Sequence, residues 1–247
     1  MGDLHEDIYF GDINQRYTEL ASLAPEKWSA KDKNDNSVLK NYLKYTYKKL
    51  EEENKIIREE EYSIFNTGLF TEYYEPIYAY MEPNAAGGTQ PYYLKNFSTP
   101  YDLGEMGISV LPERANYFAQ PELLVFDAKC QINVQYKHIL SDANNVNRIP
   151  EEIKGNKNIQ YIFNGAIDVM KKKVSANYKI AVPQYFNGKI QLLLPLCLVD
   201  PEVPDLALVV TKNSLGNFYQ GHTCLTLEMA YNNARLIAKP DSNWLQL

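Results

Sequence analysis

Cysteine, histidine and long apolar runs are scarce in this chain of 247 residues, and each scarcity excludes a class of protein. The three cysteines, Cys130, Cys197 and Cys224, are odd in number and far apart, which excludes a disulfide framework and predicts reduced thiols inside apolar stretches. The three histidines form no H-E-x-x-H and join no C-x-x-C, so no metal site is expected. No G-x-x-x-x-G-K-[ST] loop, no G-x-G-x-x-G after a strand and no G-x-S-x-G occurs. P-loop NTPases, dinucleotide-binding dehydrogenases and α/β hydrolases are thereby excluded, and no cofactor is expected. The longest apolar run, "IQLLLPLCLV", has ten residues and contains Pro195. A membrane-spanning helix needs about 20. The acidic opening "MGDLHEDIYFGD" has no apolar core of a secretory signal, so a cytoplasmic location is expected.

Tyrosine, by contrast, is abundant at 20 residues, and hydrophobic residues make up 45% of the chain. An apolar ring with a polar tip suits half-buried sheets and also surfaces on which bases stack. The net charge of -6 argues against a broad face that holds duplex nucleic acid by neutralising phosphates, but leaves room for a local basic pocket. Lys171–Lys173 and Lys44, Lys48 and Lys49 lie among acidic neighbours on expected helices and read as solvated faces.

Apolar spacing predicts a short helix around 12–24, a polar loop at "SAKDKNDNS" and an amphipathic helix over 37–60. Strand-like runs follow at "YSIFNTGL", "EPIYAYME", "ELLVFD" and "CQINVQYKHIL". A second helix is expected from Ile159 to Val174. After it come "YKIAVPQYF", an Asn187–Gly188 turn, "IQLLLPLCLV", "DLALVV" and "HTCLTL", then a helix containing "AYNNARLI" that Pro240 stops. The fold class is α+β. A single domain over 37–247 is expected, with a mixed or antiparallel sheet of about seven to nine strands packed by two or three long helices, and residues 1–36 form an N-terminal helical extension.

Four stretches place polar side chains where the pattern calls for apolar ones. In "FNTGL", Asn66 and Thr67 either flank a β-bulge or present an amide and a hydroxyl to a ligand. His138, read as a strand end, is followed by Arg148 in a turn-rich loop. The pair suits acid–base work on a phosphate, with the imidazole moving the proton and the guanidinium holding the anion, or else braces the loop. His222 is the other candidate imidazole, since His5 sits in a terminus. Gln184 lies in a strand beside Pro183, where an edge or bulge admits a ligand. In "AYNNARLI", Tyr231, Asn232 and Arg235 share one helix face and either bind a phosphate or base edge or cap neighbouring loops, with Asp205 a possible partner for Arg235.

Together "LKNYLKYTYKKLEEENKI", "FNTGLF", "HIL" with "NRIP", "IAVPQYF" with "IQLLLPLCL", "DLALVV", "TLEMAYNNARLIA" and the closing "WL" carry a resemblance over about residues 38–247. The chain resembles a prokaryotic domain family of unknown function whose members sometimes sit beside LOTUS-type winged helices or cold-shock domains. The resemblance implies a link with RNA metabolism and supplies no catalytic residues.

The leading expectation is binding of RNA or a nucleotide in a local pocket. Arg148 and Arg235 would take phosphate, Asn66, Thr67, Gln184 and Asn232 would meet polar edges, and Tyr219 or Tyr231 would stack. The alternatives are a metal-independent phosphodiesterase or transferase in which His138 is the general acid or base and Arg148 or Arg235 stabilises the anion, and a structural or partner-binding protein in which the polar stretches are internal braces.

Overall fold

A computed structural model of the chain describes residues 3–29, 33–85 and 87–246. The polar loop expected at 29–37 and the acidic start fall in part on residues 30–32 and 1–2, outside the described residues. Ten strands and eight α-helices are present among those described, and the chain divides into two compact units, Met1–Asn116 and Tyr117–Leu247.

The first unit runs α1 (Leu4–Asp7), β1 (Ile8–Tyr9), α2 (Ile13–Leu23), α3 (Ser37–Glu52), β2 (Ile57–Arg58), β3 (Ser63–Phe70), β4 (Pro76–Pro83), β5 (Tyr92–Ser98) and α4 (Pro100–Glu105). Asp12 caps α2 by accepting from the amides of Asn14 and Gln15. In α3 the helical spacing buries Val38, Leu39, Tyr42, Leu43, Tyr47 and Leu50. The helix stops at Glu52 rather than near residue 60, because Asn54 turns left-handed at φ 54° and the Lys55 amide reaches back to Leu50 O at 2.9 Å. The segment before residue 36 packs on this helix through Lys44–Asp3 (2.7 Å) and a Tyr47 hydroxyl that donates to Asp7 (3.0 Å).

These strands form a five-stranded sheet in the order β1-β5-β4-β3-β2, with only the β1–β5 pair parallel. Its register slips between Asn66 and Phe70, where Gly68 adopts φ +75°. "FNTGL" is therefore a β-bulge.

The second unit runs β6 (Gln131–Val134), α5 (Tyr136–Ser141), α6 (Ala143–Val146), α7 (Ile159–Ala176), β7 (Val182–Phe186), β8 (Lys189–Leu196), β9 (Leu206–Lys212), β10 (Phe218–Leu225) and α8 (Leu227–Arg235). Its sheet has the order β6-β10-β9-β8-β7, with β6 parallel to β10 and the rest antiparallel. One face packs on α7, burying Phe163, Ile167, Met170 and Val174 with Leu192, Leu194, Leu208 and Val210. Each such side chain contributes about 1.5–3 kcal/mol. The other face meets α8.

Two mixed sheets of five strands thus replace the single sheet of seven to nine strands expected. In the first, the edges are β1 and β2, strands of two residues each, which leave almost no ladder for another strand to join. Two segments differ locally as well. "ELLVFD" yields a 3-10 turn at Pro121–Leu124, and "CQINVQYKHIL" is a strand only to Val134. Beyond it, Tyr136, Ile139 and Leu140 meet the core at helical spacing, so the alternation that suggested one long strand stops at α5. No helix among the described residues is long and apolar enough to cross a membrane.

A Cβ at Gly68 would lie 2.5 Å from the hydroxyl of the buried Tyr42, on a backbone that side chains rarely adopt. Gly68→Ala is expected to lower stability by about 2–4 kcal/mol in urea unfolding. An unchanged midpoint would mean that the bulge relaxes freely.

Candidate functional site

Strand pairing in the second sheet brings five polar residues into one row. The turn at Asn187 and Gly188, with φ +47° and +75°, sets Gln184 of β7 opposite Gln191 of β8. Thr211 of β9 pairs with Gln220 of β10, and Gln220 pairs with Asn133 of β6. Hydrogen bonds run along the row: Gln184 Nε2 donates to Gln191 Oε1 (2.7 Å), Gln191 Nε2 to Thr211 Oγ1 (3.2 Å), and Gln220 Nε2 to Asn133 O (3.0 Å). Asn233 of α8 closes the covered end by donating to Gln184 Oε1 at 3.1 Å.

Alternation along each strand puts all these side chains on the α8 face. At one end of that face lie Val182, Leu193 and Val209, buried and apolar. Toward the other end Gln191, Thr211 and Gln220 are partly open and Asn133 is exposed. Two residues beyond Gln184 and Gln220 in the alternation, Phe186 (44% exposed) and the half-buried Phe218 share the same face. Lys189, paired with Phe186, adds an exposed ammonium.

His222 is the extra residue where the β9–β10 register slips between Gly221 and Thr223. Burial, then the neighbouring Lys189 and His138, hold its imidazole below the ordinary histidine range. The residues on either side of it are tied to the α5–α6 segment: Gly221 O accepts from the Gln135 amide (3.0 Å), and Thr223 Oγ1 donates to Asn145 Oδ1 (2.6 Å).

Asn145 draws together His138 and Arg148, which sequence spacing had paired. Its buried Oδ1 accepts from Thr223 and from Arg148 Nη1 (3.0 Å), and its Nδ2 meets His138 Nε2 and His138 O, both at 3.2 Å. With two donors on the oxygen, the amide orientation follows, and His138 Nε2 is the acceptor. Arg148 Nη1 also donates to Cys224 O at 2.7 Å. Burial pushes the Cys224 thiol up to about 12, against the pull of Arg148, so this sulfur is a core group. His138 is exposed on α5 rather than at a strand end.

Of the remaining candidates, all but the half-buried Asn232 lie in the interior. Tyr219 is 1% exposed, stacks on Phe126 with centroids 4.5 Å apart, and accepts from the Asp127 amide at 2.9 Å. Tyr231 and Arg235 are buried on α8, while Asn232 Nδ2 folds back on Glu228 O at 3.1 Å. Asp205, weighed as a partner for Arg235, instead accepts from the amides of Leu198 (2.6 Å) and Val199 (3.1 Å). In the first unit, Asn66 bonds Pro112 O (3.3 Å) and the Gly68 amide (2.9 Å), and Thr67 donates to Ile77 O at 2.7 Å. Both side chains hold the bulge.

Gln191, Thr211, Gln220, Asn133, Asn145, Lys189, Phe186 and Phe218 were missed in the sequence. For most of them the signal exists only across strands, since each polar residue is unremarked within its own strand. Among the described residues no group of three His, Cys, Asp or Glu could hold a metal ion.

The buried Asn145 uses both amide atoms to tie α5, α6 and β10 together, so Asn145→Ala should cost about 2–4 kcal/mol and speed amide exchange across 136–149. Unchanged stability and exchange would show that the network braces nothing.

The family model described as Domain of unknown function (DUF3825) matches residues 20–244. No curated protein and no solved structure matches the chain.

Proposed function

The chain belongs to the DUF3825 family, a domain of unknown function, and we propose that it binds single-stranded RNA or a nucleotide on the open half of the second sheet. The observation that carries this reading is the amide and hydroxyl row, flanked on the same face by Phe186, Phe218 and Lys189. Single strands are held by rings on which bases stack, by donors and acceptors that meet base edges, and by a few cations near phosphates. A sheet face supplies all three at spacings fixed by the ladder. A link with RNA metabolism is also what the family resemblance implies.

The overall charge of -6 suits a local contact of this kind better than a duplex tract. Stacking falls to Phe186 and Phe218, since Tyr219 and Tyr231 are buried. Phosphate falls to Lys189 and His222. His138 serves to position the α5–α6 segment: its Nε2 accepts the Asn145 amide, so no acid–base step is assigned to it.

Fluorescence polarisation with labelled single-stranded RNA, single-stranded DNA, duplex RNA and free nucleotides tests the proposal. Phe186→Ala and Phe218→Ala should each weaken single-strand binding about tenfold, given stacking energies of about 1–3 kcal/mol per base. Lys189→Gln should reduce the salt slope by about 1. Absence of saturable binding, or equal affinity in all three variants, overturns the reading.

The pH dependence has a definite sign. His222 takes up a proton only below the ordinary histidine range, so RNA affinity should rise as pH falls through that lowered value, and His222→Gln should flatten the rise. Folding moves the other way. The unfolded chain binds this proton first as pH drops below the ordinary histidine value of about 6.5, so the residue's contribution lowers stability in acid. A stability curve on which His222→Gln has no effect below neutrality contradicts the assignment.

A further inference from the structure

A cleft of about 500 Å³ lies elsewhere in the second unit, walled by α7, the end of β8, the 201–204 loop and residues 241–244. Its size falls within the ordinary range for small-molecule sites. None of the residues assigned to the sheet face lines it.

Three features distinguish it from a packing defect. First, Gly165 lies inside α7, where glycine is a poor helix former, and it lines the cleft. A Cβ there would meet nothing within 4 Å, so no neighbour in the chain requires the glycine. One turn on, Val169 lines the same wall and remains 47% exposed. Second, the indole of Trp244 is fixed as a wall, because its Nε1 donates to Ile180 O at 2.8 Å. Third, two ammonium groups line the space. Lys173 Nζ donates to Pro201 O at 2.8 Å, and Lys179 lies 3.8 Å from Asp241, beyond hydrogen-bond length. Asp241 itself is 82% exposed, and Glu202 is also on the exposed loop, so both carboxylates can point to water.

We propose that this cleft binds a small amphiphilic carboxylate. Its acyl or aryl body lies along Gly165 and Val169 against Trp244, and its anionic end meets Lys173 and Lys179. A flat or chain-like body uses the wall that Gly165 leaves bare. The carboxylate accepts hydrogen bonds from the N–H groups that Lys173 has left after bonding Pro201 O, and displaces Asp241 from its loose contact with Lys179. Cys197 also lines the cleft and is the one cysteine that is not buried, which gives the site a chemical reporter.

Decanoate, decanol and decyltrimethylammonium serve as probes. The chain has two tryptophans, so Trp28→Phe leaves Trp244 as the sole tryptophan, excited selectively at the red edge where the tyrosines do not absorb. Decanoate should change its emission saturably, with decanol weaker and the ammonium weakest. In the unmodified sequence, decanoate should also slow alkylation of Cys197 by N-ethylmaleimide, read by peptide mass analysis. This second arm stands even where Trp28→Phe fails to fold. Lys173→Gln should weaken decanoate about tenfold, and Gly165→Leu should abolish the protection by filling the wall. The proposal is overturned by an absence of saturable change together with unprotected Cys197. It is equally overturned by ammonium binding as tight as carboxylate, or by Gly165→Leu with unaltered protection.

Discussion

The register between β7 and β8 is the constraint on which the open sheet face depends. Asn187 and Gly188 both turn left-handed, and this two-residue connection sets Gln184 opposite Gln191 and Phe186 opposite Lys189. Strand side chains alternate with a period of two, so a slip of one residue would send the amides into the α7 core and bring Leu192 out to water. The apolar core on the other face forbids that slip, since Leu192, Leu194 and Leu196 are all buried there. The polar row and the hydrophobic core are therefore two readings of the same register.

Asn145 plays a corresponding part at the far edge. Strand β6 is held by a parallel pairing to β10, and parallel ladders need a long connection before they can form. The Asn145 amide bonds α5 and Arg148 to Thr223, while Arg148 reaches Cys224 O, so the connection is anchored to β10 beyond the reach of β6 itself. His138 and Arg148 each bond Asn145, a third residue that no local pattern marks.

Much of the fold was legible where one segment carried its own period. The α3 and α7 faces, the Asn187–Gly188 turn and the strands around it follow from apolar spacing, and the bulge at Asn66–Gly68 follows from a glycine in a strand. The helix containing "AYNNARLI" was legible as a helix. Its polar content was not, because Asn233 is explained only by Gln184, 49 residues away. Tyr219 and Arg235 looked available for a ligand because tyrosine and arginine often lie near surfaces, whereas here both are interior side chains. Whether strands share a sheet depends on long-range pairing, which is why two sheets could be read as one.

The amide row also limits how this protein can change over time. Gln184 donates to Gln191 and accepts from Asn233, and Gln191 in turn donates to Thr211. Each member fixes the direction in which the next one points. Exchange of Gln184 for an aliphatic residue strands a donor in α8 and an acceptor in β8, both on half-buried side chains, where water recovers part of the roughly 1–3 kcal/mol that a fully buried orphan costs. A single substitution therefore meets a steeper penalty than a joint replacement by well-packed apolar groups. Lineages that carry this sheet should keep the row whole or lose it in coordinated steps.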